Sequence, residues 1–114
     1  MAVYLLGSID IQNPELYAQY VEKTGASLAP TNAKPIILDD AAEVVEGALP
    51  GGRITGLRFE SREALYDWYN SPAYRDARAI RHQSADTRFL VIVDEIDLDK
   101  ISTADLIARP LAKD

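Results

Sequence analysis

The 114-residue sequence predicts an α+β sandwich in which a four-stranded antiparallel sheet carries helices on one face. Three observations point there. Strand-like and helix-like stretches alternate in the order strand, helix, strand, strand, helix, strand, the ferredoxin-like βαββαβ arrangement. The first and last strands are apolar on both faces, so each needs two covers. The length suits one domain that buries about two thirds of its unfolded surface.

Residues 2–10 are apolar and β-prone, with Val3, Leu5 and Ile9 opposing Tyr4 and Leu6. Asn13 is placed as a helix N-cap, Pro14 as a first helical residue and Glu15 in the first turn. The three and four spacing of Tyr17, Tyr20, Val21, Thr24 and Leu28 then predicts a helix over 14–28 with one buried stripe. After "APTNAKP", the stretch "IILDDAAEVVEG" reads as a hairpin of two short β-prone runs around Asp39, Asp40 and Ala41. "LPGG" breaks the chain. "RITGLRFE" resumes as a strand, with Ile54, Gly56 and Arg58 on one face and Thr55, Leu57 and Phe59 on the other.

Ser61 caps the next helix, where Ala64, Leu65, Trp68 and Tyr69 share a side. Pro72 has no N–H to give and restricts Ser71 before it, so that helix ends and another starts with Ser71 as cap. "DWYNSPAYRDARAIRHQS" is therefore two helices with a bend. In the last strand, "RFLVIVDEI", Phe89, Val91 and Val93 face one way and Leu90 and Ile92 the other. Helices cover one face of the sheet; a second, identical chain covering the opposite face is the simplest completion, which predicts a homodimer closing as an α/β barrel.

Composition removes several classes of function. A net charge of −6 with 18 acidic and 12 basic residues repels phosphate backbones, so no nucleic-acid partner is expected. No apolar run approaches the roughly 20 residues that a bilayer requires, so no membrane partner is expected either. The absence of Cys excludes disulfides, thiol catalysis and Cys-ligated metals. With one His and the adjacent Asp39 and Asp40 splayed by the hairpin, no metal site is predicted. No phosphate-binding glycine loop or nucleophile motif implies a cofactor. The opening "MAVYLLGSID" has no basic region before its apolar run, which argues against a secretory signal and makes a cytoplasmic protein the expectation.

The candidate site residues are Tyr17, Trp68, Tyr69, Tyr74 and Arg81 for ligand binding, with His82 and Arg81 as the catalytic candidates. Arg81 stands where the apolar and polar faces of its helix meet; near aromatic rings, its planar fork could clamp a carboxylate or enolate oxygen. The alternative is an ion pair with Asp67, Glu60 or Glu46. His82 titrates near neutrality and suits a proton shuttle, or else caps a helix end facing solvent. The aromatics line a cavity between helices and sheet, or are plain core. Arg58, if its face meets a partner sheet, requires an acid such as Glu46 or one from the other chain. Three readings stay open: a dimeric module binding a small, partly apolar or anionic molecule, a cofactor-independent enzyme, and a structural or regulatory dimer with no pocket.

The words "AVYLLGSIDIQNPELYAQYVEKTG", "EVVEG" and "LRFESREALYDWYNSPAYRDARAIRHQSA" resemble the family known as domain of unknown function 1330, over about residues 1–96. Phe59, Ser61, Ala64, Trp68, Tyr69, Ser71, Tyr74 and Arg81 carry the resemblance, which implies membership of the dimeric α/β barrel group and kinship with its monooxygenases, isomerases and decarboxylating enzymes. "PTNAKP" replaces the family's usual Gly pair after the first helix, and "VDEI" its usual Gly at the last strand's end. Residues 97–114 form an extension in which Ser102 or Thr103 caps a short helix, with Asp105 in its first turn, Leu106 and Ile107 as apolar contacts and Pro110 beyond. That extension reads as a frayed terminus or as an arm onto a partner subunit, the latter allowing a tetramer.

Overall fold

A computed structural model describes residues 1–97 and 99–108. Its elements are β1 (Val3–Ile11), α1 (Pro14–Leu28), β2 (Lys34–Asp39), β3 (Arg53–Phe59), α2 (Arg62–Tyr69), α3 (Pro72–Ser84), β4 (Ala85–Asp94) and α4 (Thr103–Ala108). The sheet runs β2-β3-β1-β4 and is antiparallel throughout. This is the ferredoxin-like order that the sequence predicts.

Local chemistry sets the helix starts. The Asn13 side chain accepts from Leu16 N at 3.1 Å, Ser61 Oγ from Ala64 N at 3.1 Å and Ser71 Oγ from Tyr74 N at 3.3 Å. Each cap satisfies a backbone donor that has no partner within the helix. Pro14 and Pro72 occupy first-turn positions, where a missing N–H is harmless.

The core lies between the helices and one face of the sheet, built from Val3, Leu5, Leu28, Phe59, Leu65, Trp68, Tyr74 and Ala77. The Trp68 ring sits 5.3 Å from Phe59 and 4.0 Å from Tyr74, centroid to centroid. Its indole N–H donates to Ser27 Oγ at 2.9 Å, the partner that a buried Trp needs.

Two expectations change. "IILDDAAEVVEG" makes one strand, not a hairpin: β2 ends at Asp39, whose carboxylate accepts from Ala41 N at 2.8 Å. β2 pairs with β3 alone and stands at the edge of the sheet, and Val44 and Val45 are exposed and outside it. Arg58 pairs with Glu95, at 3.2 and 3.3 Å, rather than Glu46, because β1 brings the chain after β4 alongside it. Glu95 also accepts from Tyr4 Oη. These contacts hold the Glu95 carboxyl below the usual range, Arg58 first and Tyr4 second.

Among the described residues no helix covers the second face of the sheet, which carries an exposed apolar patch beside the Tyr4–Arg58–Glu95 cluster. Leu6 pairs with Gly56 and Val91, and Tyr4 with Val93, so one surface joins Leu6, Ile54, Phe89, Val91 and Val93. Phe89, Val91 and Val93 are 38–41% exposed. In the C-terminal extension, Ser102 Oγ accepts from Asp105 N and α4 buries no residue; Pro110 lies outside the described residues.

Candidate functional site

α1 packs along α3, whereas every residue of β2 is exposed and no described helix covers it. The gap between α1 and the sheet is a cavity of about 210 Å³. Its floor is Leu5, Ile9, Thr55, Leu57 and Leu90 from β1, β3 and β4, and its roof is one stripe of α1. α2 and α3 close the inner end with Trp68, Tyr74 and Arg81. Val21, on the stripe expected to be buried, is 47% exposed because it lies at the mouth, opposite Leu38 at 68%.

The inner end is rich in donors and poor in acceptors. Arg81 is 3% exposed, and no carboxylate among the described residues pairs with it. Its Nη1 donates to Tyr74 Oη at 2.5 Å and to Tyr20 Oη at 3.4 Å, while Nη2 lies 3.4 Å from His82 Nε2. Arg81 Nε and Thr24 Oγ1 are buried with no partner. Tyr20 and Tyr74 are linked, Oη to Oη, at 2.9 Å. One phenol hydrogen serves that bond, so the other phenol's O–H has no acceptor among the described residues. Burial pushes the Tyr74 hydroxyl far up and the Tyr17 hydroxyl up, so both stay protonated donors at neutral pH.

Arg53 also reaches this cavity, with its guanidinium 5.5 Å from the Tyr17 ring centroid. Unlike Arg81 it is neutralised, by Asp40 in a two-point contact at 2.7 and 2.9 Å.

Of the residues singled out from the sequence, the structure brings Tyr17, Trp68, Tyr74 and Arg81 into one cavity and leaves Tyr69 outside. Tyr69 supports the wall, 5.4 Å from the Tyr74 ring and beneath Arg78. His82 is exposed and outside the cavity; partial burial, with Arg81 and Arg78 beside it, lowers its pKa. None of the acids considered for Arg81 pairs with it: Glu60 meets Arg58, while Asp67 and Glu46 take part in no ion pair among the described residues.

Sequence reasoning missed Tyr20, Thr24 and Arg53 as site residues. The signal for Thr24 was a hydroxyl within an otherwise apolar and aromatic stripe. A second hollow, about 490 Å³, lies on the far side of Trp68 among Asn32, Phe59, Glu60, Asp67 and Ser71. It is larger, but no buried polar atom lining it lacks a partner, so it gives no chemical reason for a ligand.

The architecture is that of the dimeric α/β barrel proteins. A protein of unknown function from Rhodopseudomonas palustris matches with a TM-score of 0.70 and 18% identity, over 84% of this chain and 83% of that one. SnoaB, a cofactor-independent oxygenase from Streptomyces nogalater, matches with a TM-score of 0.61 and 8% identity, over 84% and 94%. Rv0793 from Mycobacterium tuberculosis matches at 0.53 and 20% identity, over 85% and 97%. At these identities the likeness is one of fold. No curated protein matches the sequence. The family described as "Domain of unknown function (DUF1330)" matches residues 2–96, and the chain belongs to that family.

Proposed function

We propose that this protein is a homodimeric binding module that holds a small, partly apolar anion between α1 and the sheet. The observation that carries the reading is Arg81: a buried guanidinium without an acid, its Nε unpartnered, beside a phenol with a spare hydrogen. An uncompensated buried charge is costly, and a structural role would be expected to come with a carboxylate. A ligand with an acceptor oxygen and a negative charge supplies what the Arg81 guanidinium lacks.

The bare sheet face supports the homodimer, since a contiguous apolar surface of this kind on a soluble chain is expected to be covered. Light scattering at micromolar concentration checks it; a monomer removes that part of the reading. For the site, thermal shift against a panel of small carboxylates is expected to show stabilisation in the wild type that is lost in Arg81→Met. Equal stabilisation of both proteins would discard the site.

A second reading is an enzyme that uses the same donors to hold an enolate oxygen, favoured by the fold shared with SnoaB. Such chemistry needs a proton acceptor. The cavity offers none among the described residues, because His82 stands outside it and burial keeps Tyr17 and Tyr74 protonated. Binding is therefore the stronger reading.

A further inference from the structure

The cavity is graded from end to end. Its lining holds the buried, unpartnered Arg81 Nε and Thr24 Oγ1 beside the part-buried Tyr20–Tyr74 hydroxyl pair, with Arg81 3% and Tyr74 1% exposed. The middle is aliphatic, with Leu5, Leu28, Leu57 and Leu90. The mouth is apolar and wet, with Val21 at 47% and Leu38 at 68% exposure. An amphipathic guest therefore enters head first: its charged end is buried and its hydrocarbon end points outward.

The charge count limits the head. Two guanidiniums reach the cavity, but Asp40 already matches Arg53, which leaves one positive charge to balance. The volume limits the tail. A space of 210 Å³ holds about seven groups the size of a water molecule at ~30 Å³ each. A carboxylate occupies about two of these, leaving about five methylene-sized places.

Resting on the anion-binding reading above, we infer that the ligand class is the monocarboxylates with an apolar tail, the carboxylate at Arg81 and a chain of about six carbons filling the cavity towards the β2 edge. Longer chains fit as well, because the mouth is open, but their extra carbons lie in water.

Calorimetric titration of the 114-residue chain with acetate, butanoate, hexanoate, octanoate and decanoate tests this, with Trp68, the chain's single Trp, as a fluorescent reporter inside the cavity wall. Affinity is expected to rise about fourfold per methylene up to hexanoate, the ratio that ~0.8 kcal/mol per buried methylene gives, and to level off by decanoate. Hexanol, hexylamine and hexanedioate are expected to bind at least tenfold more weakly than hexanoate, a factor of ten being ~1.4 kcal/mol. Leu38→Asp, an exposed change that leaves the core intact, is expected to cut the hexanoate-to-butanoate ratio at least twofold. A flat chain-length series, or tighter binding of sulfate or hexanedioate than of hexanoate, overturns the ligand class while Arg81-dependent binding keeps the anion site. Absence of heat and fluorescence change with every carboxylate, sulfate and phosphate overturns the site itself.

Discussion

Replacing Arg81 by Met separates a binding residue from a structural one, because the two roles predict opposite signs. Burying an unpaired charge carries an effective penalty of several kcal/mol. Against it stand the charge-assisted bond to Tyr74 at 2.5 Å, worth about 1.5–3 kcal/mol, and the long contact to Tyr20 at 3.4 Å, which adds little. Met keeps most of the aliphatic stem, and the Tyr20–Tyr74 bond at 2.9 Å survives the change.

The difference favours the variant by about 2 kcal/mol in the absence of ligand. For a chain of 114 residues this raises Tm by about 8 °C, measured by calorimetry at matched protein concentration. A saturating carboxylate at a hundred times its Kd should stabilise the wild type by ~2.7 kcal/mol and the variant not at all. A fall in Tm matching a loss of about 3–5 kcal/mol would show that Arg81 holds the fold together, and would refute the argument that it is kept for a ligand.

Further outcomes follow from other parts of the molecule. His82, the single His, has a pKa lowered by partial burial and by Arg81 and Arg78, so an anion bound at Arg81 should move it back up; an NMR titration with and without hexanoate reads this, and an unmoved value places the anion elsewhere. In the unliganded protein the same depression means that the unfolded chain takes up this proton first. Stability then falls as pH drops from neutrality through the ordinary histidine range, and His82→Gln should flatten that slope in denaturant titrations. Glu95 has the same sense at lower pH: Arg58 and Tyr4 depress its pKa, so its contribution is present at neutral pH and lost as pH falls through the usual glutamate range, a dependence that Glu95→Gln should remove. Val91→Asp, in the middle of the bare sheet face, should give monomers with unchanged helix and sheet content by circular dichroism, whereas an intact dimer would show that subunits meet elsewhere.

The helix starts were legible in the sequence because each is decided within four residues. Asn13 with Pro14, Ser61, and Ser71 with Pro72 carry their own hydrogen-bond logic, and α1, bounded by the first pair, falls at Pro14–Leu28 as the spacing predicts. The faces of β1, β3 and β4 were legible for a similar reason, since side chains alternate along a strand whatever it pairs with. The Val44–Val45 segment misled because β-propensity says only that a run would suit a half-buried pleated surface; here the run is exposed and stays off the free edge of β2.

The site depended on the tertiary structure. The Arg81 contact with Tyr20 spans 61 residues and that between the two phenols spans 54, distances over which no local pattern constrains the partners. By itself the sequence put Arg81 on α3, at the border of its apolar and polar faces, and left open whether aromatics or an acid would meet it. Only the packing of α1 along α3 decided that this guanidinium would be walled in by hydroxyls instead of acids, for the acids nearby in sequence project from other faces. A charge is neutralised by whatever the fold brings within hydrogen-bonding reach, and here the fold brings donors and leaves one place for an acceptor.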